Sequence, residues 1–395
     1  MPILPDTKFY AWHFMPYTAL PASVGEQGSL WVDFPNSHFD PVVGHGLYQR
    51  YMSELVLADR LGFDGVCVNE HHNTPYSLMP NPSVMAAALI PQVKGNICVM
   101  GTPPGLDQPH RLAEAYAMLD VMSGGRLEVA FPLGTPMEYW SSSVNPVTAR
   151  ERQQEALDVI LKAWTQDGPT SHHGRFYNYR YLNIWPRPFQ KPHPKAYLVG
   201  SGSPSTIEIA ARYGFGYSST FSPIAAQLEA QALLKRRAAH YGHTITPDQT
   251  PITCMVYIGE DDEAALVEME PHVRYFFTVL TKAGRFINAP GYLSMEEFQK
   301  RNGRMIDASH GGAFDWGKIR ELFRVVAGTP TTVANAIERW AQDAGTNRII
   351  FQIHRGDMPH WKVVRTLTSL AEEVIPLLKE RQKAAARGQE LAAAQ

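Results

Sequence analysis

Residues 51–72 read Tyr-Met-Ser-Glu-Leu-Val-Leu-Ala-Asp-Arg-Leu-Gly-Phe-Asp-Gly-Val-Cys-Val-Asn-Glu-His-His. Tyr51, Leu55, Ala58 and Leu61 fall at helical spacing, and Gly62 closes the pattern as a C-cap. Residues 65–68 follow as a short buried strand, which ends on Asn69-Glu70-His71-His72-Asn73. A helix that runs into a short apolar strand with polar groups at its tip is the repeating unit of a parallel α/β sheet.

The unit recurs along the chain. Residues 8–14, 65–68, 96–100, 126–131, 196–199, 215–218, 252–258 and 348–353 read as eight short strands, each followed by a helical pattern. Eight such units fit a closed (β/α)8 TIM barrel with several insertions in the βα loops better than an open sheet. A doubly wound sheet would place a Gly-rich turn after its first strand, and none is present. Gly200-Ser201-Gly202-Ser203-Pro204-Ser205 lacks the third glycine of a dinucleotide fingerprint.

A plain barrel needs roughly 250 residues, which leaves about 145 of the 395 here. The surplus falls at 18–46, 133–148, 166–195 and 260–329. Such segments are where barrels build pockets and lids. Residues 1–383 are therefore expected to form one barrel domain, and 384–395 a frayed tail rich in Ala, Gln and charge.

Composition excludes other classes. Hydrophobic residues make up 44% and charged ones 19%, enough apolar material for a core. Lys plus Arg (36) nearly cancels Asp plus Glu (38), so no basic excess exists to bind nucleic acid. Cys67, Cys98 and Cys254 show neither disulfide nor zinc spacing. The N-terminus lacks a signal pattern, and no apolar run approaches membrane-spanning length, so a soluble cytoplasmic protein is expected.

In a barrel the chemistry sits at the C-terminal strand ends. Glu70-His71-His72 stands out there, because adjacent side chains at a strand end point to opposite sides. One imidazole can face the mouth while a carboxylate orients it, giving an acid/base or a polarising group. The plainer alternative is a structural histidine at a junction. Metal ligation by His71, His72 and His354 lacks a clear acidic partner, and no metal is expected. Gly202-Ser203-Pro204-Ser205-Thr206 opens a helix with hydroxyls and free amides, suited to a phosphate, although simple N-capping explains the same residues. Trp12, Phe14, Tyr17, Trp31, Phe34, Tyr76, Tyr139 and Trp140 crowd the expected mouth, either as pocket lining for a flat ligand or as packing of the insertions.

These segments, taken in order, resemble the bacterial-luciferase-like flavin-dependent monooxygenases. The residues that carry the likeness are Leu61-Gly62-Phe63-Asp64-Gly65-Val66 with Glu70-His71-His72, and Asn81-Pro82-Ser83. Next come Leu119-Asp120-Val121-Met122-Ser123-Gly124-Gly125-Arg126-Leu127 and Trp185-Pro186-Arg187-Pro188-Phe189-Gln190-Lys191-Pro192. Gly200-Ser201-Gly202-Ser203 with Ala210-Ala211-Arg212-Tyr213-Gly214, and Gly328-Thr329-Pro330, complete them. The resemblance implies an eight-fold barrel with insertions and a two-component enzyme. Reduced FMN would come from a separate NAD(P)H-dependent flavin reductase and react with O2 to a C4a-peroxyflavin, which oxygenates a small apolar or aromatic substrate by hydroxylation or Baeyer–Villiger insertion. It also implies a homodimer. The same fold admits an F420-dependent dehydrogenase or reductase, and a non-catalytic flavin-binding protein is the remaining alternative.

Residue by residue, the resemblance makes His71 catalytic. It assigns Met100, Gly101 and Thr102 to the flavin ring, with a non-proline cis bond expected at that strand end. Gly202, Ser203 and Thr206 take the FMN phosphate. Luciferase has a flavin-contacting arginine where this chain has Leu133, so the phosphate charge falls to Arg150 or Arg152, and Arg152 is carried forward as cofactor-binding. His13, Met15, Tyr17, Glu70, His72, Trp140 and His354 are expected to bind substrate. The strand-one end, His13-Phe14-Met15-Pro16-Tyr17, does not read as an aldehyde channel, so luciferase activity itself is not expected.

Overall fold

Prolines start many helices of this chain, as expected where a missing N–H costs nothing. Asp40, Asn81, Ser203 and Thr329 each cap a helix whose first residue is proline, their side chains accepting backbone N–H groups of the first turn. The computed structural model describes residues 2–220, 222–292 and 314–393, with side chains through Arg387. The helices are α1 (Pro41–Arg60), α2 (Pro82–Leu89), α3 (Pro109–Ser123), α4 (Pro136–Ser141), α5 (Ala149–Thr165), α6 (Pro204–Tyr213), α7 (Ile224–His240), α8 (Asp262–Tyr275), α9 (Trp316–Leu322), α10 (Pro330–Ala344), α11 (His360–Ser369) and α12 (Ile375–Ala393). Gly124, Gly214 and Gly345 end α3, α6 and α10 in left-handed geometry.

The strands are β1 (Lys8–Trp12), β2 (Gly65–Val68), β3 (Asn96–Val99), β4 (Leu127–Pro132), β5 (Thr170–His173), β6 (Asn178–Leu182), β7 (Lys195–Gly200), β8 (Gly216–Ser219), β9 (Ile252–Ile258), β10 (Val325–Gly328) and β11 (Arg348–Gln352). Nine of them form one parallel sheet in the order β10-β9-β11-β1-β2-β3-β4-β7-β8. Their residues are almost all buried, as a sheet covered on both faces by helices requires. All eight strands read from the sequence are present. The ninth, β10, lies inside the 260–329 segment taken for an insertion, and pairs with the C-terminal half of β9. The main ladder therefore has nine strands rather than eight. No ladder among the described residues joins β10 to β8; Thr253 Oγ1 of β9 reaches the Ser219 carbonyl of β8 at 3.4 Å.

The other insertions also carry structure. The 166–195 segment contains the antiparallel hairpin β5–β6, the 133–148 segment contains α4, and α8 and α9 join β10 in 260–329. Residues 293–313 of that insertion lie outside the described residues. The last helix continues to Ala393, so residues 384–393 are helical rather than frayed.

One polar cluster plugs the N-terminal end of the sheet. Arg348 and Glu128 are buried and paired, Arg348 donating to Glu128 Oε1 at 2.8 Å and to the Tyr197 hydroxyl at 2.6 Å. Tyr10 donates to Glu128 at 2.9 Å and accepts from Asn96 at 2.9 Å. Burial opposes the Glu128 charge, yet the guanidinium beside it holds the carboxyl below its usual range. No helix among the described residues is long and apolar enough to cross a membrane.

Candidate active site

The end of β2 positions three titratable groups. Glu70 and His72, two residues apart, turn to the same side, where Glu70 Oε1 meets His72 Nε2 at 2.9 Å. Thr102, just past β3, donates to the other Glu70 oxygen at 2.6 Å. Burial pushes the Glu70 carboxyl up against the pull of these hydrogen bonds, and the Glu70 hydrogen bond raises His72. His71 points the other way. Its Nδ1 lies 2.9 Å from Glu138 Oε1.

Glu138 is held for this task. It stands at the third position of α4, where its second oxygen accepts the Thr135 amide at 2.6 Å in a capping box. In the tautomer whose Nδ1–H donates to the carboxylate, the neutral ring presents the Nε2 lone pair on its other side. Trp31 and Tyr76 stand edge-on to the imidazole at 5.4 and 4.7 Å. Tyr76 contacts Phe14 and Phe276 at 5.6 and 5.5 Å. The Arg355 guanidinium lies over the Phe14 and Phe276 rings at 4.4 and 4.7 Å, and burial pushes it down to about 9. Trp31 Nε1 donates to the Leu280 carbonyl at 3.0 Å and the Leu30 amide to the Lys282 carbonyl at 2.8 Å, so the 18–46 and 260–329 segments meet beside His71.

Backbone strain gathers in the same loops. Met15, Val32 and Asn73 have φ of 50, 66 and 51°. The Val32 amide bonds the Asn73 carbonyl at 2.9 Å and the Leu78 amide the Met15 carbonyl at 2.7 Å, so cross-loop bonds hold each in place.

Met100 and Gly101 follow β3. Gly101 has φ +139°, and a Cβ there would meet Pro132 carbons at 2.7 Å. The expected non-proline cis bond is absent. The cis bonds of the described residues all precede proline: Gly168–Pro169, Trp185–Pro186 and Lys191–Pro192. The glycine dihedral turns the chain at this strand end without one.

The N-terminus of α6 gathers Gly202, Ser203, Ser205 and Thr206. Ser203 Oγ lies 3.0 Å from Thr206 Oγ1 and 3.3 Å from Ser205 Oγ. Arg150 on α5 donates to Thr206 Oγ1 at 3.3 Å. Arg152 does not join it: two residues on, it points to the Gly105 carbonyl at 3.1 Å and stacks over Phe176 and Tyr177. The guanidinium beside the α6 hydroxyls thus belongs to Arg150.

The other expected pocket residues have these surroundings. His13 is fully buried, with Nε2 2.7 Å from Glu54 and Nδ1 accepting the Met15 amide at 2.8 Å. Its ring stacks on His354 at 4.7 Å. Burial pushes both imidazoles down. Met15 is buried too, and Tyr17 accepts the Asp40 amide at the start of α1 at 3.0 Å. Trp140 is 46% exposed on α4, with its ring 6.0 Å from Phe286. Sequence reasoning missed Glu138 and Glu54. The capping pattern Thr135-x-x-Glu138 was legible, but its second partner comes from another strand end.

A parallel sheet with a carboxylate-held imidazole past its C-terminal edge and a hydroxyl-rich helix N-terminus nearby places the chain in the α/β class. The model of the luciferase-like monooxygenase family matches residues 37–348, and the chain belongs to that family. It is 28% identical over 172 residues to the oxygenase component of the flavin-dependent trigonelline monooxygenase of Acinetobacter baylyi, covering 42% of this chain and 47% of that protein. The chain thus spans about half the length of the curated relatives it matches. Among solved structures, monooxygenase RslO1 from Streptomyces bottropensis superposes with a TM-score of 0.71 at 22% identity, over 93% of this chain and 99% of that one. The oxygenating constituent of 3,6-diketocamphane monooxygenase from Pseudomonas putida, in complex with FMN, gives 0.69 at 18% identity, over 94% and 98%. An F420-dependent secondary alcohol dehydrogenase gives 0.66 at 17% identity, over 93% and 98%. These likenesses establish the fold.

Proposed function

We propose that the chain is the oxygenase of a two-component flavin-dependent monooxygenase. It would take reduced FMN from a separate NAD(P)H-dependent flavin reductase and, with O2, oxygenate a small, largely apolar or aromatic organic substrate. The observation that carries this reading is His71, held by Glu138 and walled by Trp31 and Tyr76, in a chain of the luciferase-like monooxygenase family. The relative described as an oxygenase component supports a separate reductase.

The residues present fit an FMN. Ser203, Ser205, Thr206 and the α6 amides would hold its phosphate with Arg150. The buried Tyr217 hydroxyl, near the Gly202 backbone and Ser219, lies 3.6 Å from where a Gly200 Cβ would stand, with Thr206 Oγ1 3.9 Å from the same point. Gly101 offers flat backbone to the ring. When bound, the reduced flavin supplies the electrons that activate O2 for transfer to the substrate. His71 Nε2 holds or delivers a proton there, Glu138 fixes its ring and tautomer, and Trp31, Tyr76 and Phe14 keep water away.

In this reading the sheet closes as a (β/α)8 barrel with β10 as an addition, residues 1–383 act as one unit, and the enzyme is cytoplasmic. A homodimer forms through α2 and α3, whose Val84, Met118, Val121 and Met122 are exposed. The test supplies a flavin reductase, NADH, FMN and O2, and screens small aromatic and carbonyl compounds for substrate-dependent O2 consumption and a product 16 Da heavier. His71→Ala should lose product while binding FMN. Normal turnover by that variant, or tight F420 binding with O2-independent hydride transfer, would overturn the reading.

A further inference from the structure

Three buried side chains on or just past neighbouring strands carry polar atoms that no described protein group satisfies. Trp12 on β1, Gln352 on β11 and Asn69 just past β2 are 4%, 3% and 2% exposed. Trp12 Nε1, Gln352 Oε1 and both amide atoms of Asn69 have no protein hydrogen-bond partner among the described residues. Native interiors pair the large majority of buried side-chain polar atoms, so four unpaired atoms on or just past three adjoining strands call for a cause.

Register places them side by side. Trp12 lies opposite Gln352 across the β1–β11 ladder and opposite Cys67 across the β1–β2 ladder. Side chains alternate along a strand, so Asn69, two residues beyond Cys67, returns to the face of Trp12. Tyr10, two residues before Trp12, shares that face, and its hydroxyl reaches Glu128 in the plug. This is the inward face. Adjacent strands lie about 4.8 Å apart, so this register sets Trp12 beside Gln352 above the plug, with Asn69 one residue past the end of β2, the strand that leads to His71.

We propose that Trp12, Asn69 and Gln352 form a recognition floor for a neutral planar amide edge, a carbonyl oxygen beside an N–H. Trp12 Nε1–H and the Asn69 NH2 donate to the carbonyl; Gln352 Oε1 and Asn69 Oδ1 accept from the N–H. A hydrocarbon leaves all four atoms unmet. A carboxylate faces two acceptor oxygens. A lactam or amide substrate carries the required edge, and so does the pyrimidine ring of a flavin. The floor deepens the proposed monooxygenase reading and rests on it only for the second source.

The probes are 2-pyridone, which has the edge, and N-methyl-2-pyridone, which lacks its N–H. Both are titrated by calorimetry into the chain alone and into the FMN-saturated chain, and FMN itself by fluorescence. Wild type should prefer 2-pyridone by at least about tenfold, because a site built to hydrogen-bond a group rejects the analogue without it. Asn69→Leu and Gln352→Leu should each erase that preference with unchanged FMN affinity. Their Tm should stay at or above wild type, since unmet polar atoms are removed; a structural role predicts a fall. If both variants instead lose FMN affinity tenfold and no pyridone preference exists, the edge is the flavin's and the floor stands. Absence of any pyridone preference together with unchanged FMN affinity overturns the proposal. Failure of wild type to bind FMN would sink the monooxygenase reading while the pyridone arm, run on the chain alone, still reads the floor.

Discussion

Arg150→Met isolates the charge that the α6 cradle would offer a phosphate. The Arg150 guanidinium donates to Thr206 Oγ1 at 3.3 Å, so an anion held by the Ser203 and Thr206 hydroxyls sits within a few ångströms of it. Two unit charges at 4 Å attract by about 4 kcal/mol at an effective dielectric of 20, and desolvation of the half-buried arginine takes back part of that. A charge-assisted hydrogen bond nets about 1.5–3 kcal/mol. FMN should therefore bind about 10- to 150-fold more weakly to Arg150→Met. Riboflavin, which lacks the phosphate, should bind as it does to wild type. Arg152→Met is the control: its guanidinium serves the Gly105 carbonyl and two aromatic rings, so it should shift both flavins equally or neither. Flavin fluorescence quenching against all three proteins completes the cycle. Equal loss for riboflavin and FMN in Arg150→Met, or phosphate discrimination that tracks Arg152, would refute the assignment.

Glu138→Gln keeps the shape of the group beside His71 and removes its charge; with about 1.5 kcal/mol less support for the imidazole, product formation should slow about tenfold at unchanged FMN affinity, read by reductase-coupled turnover. His13 and His354 are held below 6.5 by burial, so the unfolded chain binds more protons, and stability present above pH 6.5 is lost as pH falls through the folded values. Urea unfolding at pH 7.5, 6.5 and 5.5 should show this decline, up to about 1.4 kcal/mol per pH unit for each histidine, and His354→Phe should flatten it; a flat wild-type profile contradicts the burial argument. Gly101→Ala should cost about 1–3 kcal/mol, because alanine at φ +139° is strained and its Cβ meets Pro132; a wild-type Tm would show that the loop simply adjusts.

Most of the sheet was legible because each strand is a short apolar run between polar ends, a pattern that survives any arrangement of loops. Strand β10 escaped because Val325-Val326-Ala327-Gly328 is equally apolar but sits in a long segment counted as surplus, with nothing local to say that it pairs with β9. The direction of His71 away from Glu70 and His72 followed from strand alternation. Its partner Glu138 did not, since the bond spans 67 positions. Arg150 and Arg152 differ by two positions on one helix, about 200° apart around its axis, so only the docking of α5 could choose between them. His13 and His354 carried the polarity of a pocket, yet Glu54 from α1 claims the first and the first stacks on the second. Identical residue types at identical strand ends thus take different partners, and the choice is made by helices elsewhere in the chain.

The Glu128–Arg348 plug also has a kinetic meaning. With charge and tyrosine packed across the lower end of the sheet, the reactants of the proposed monooxygenase would enter from the opposite strand ends, which carry His71. Whatever lay deepest would arrive first and leave last. Sequence of arrival would then be imposed by geometry rather than by relative affinity, and inhibition by product would depend on which reactant is already inside.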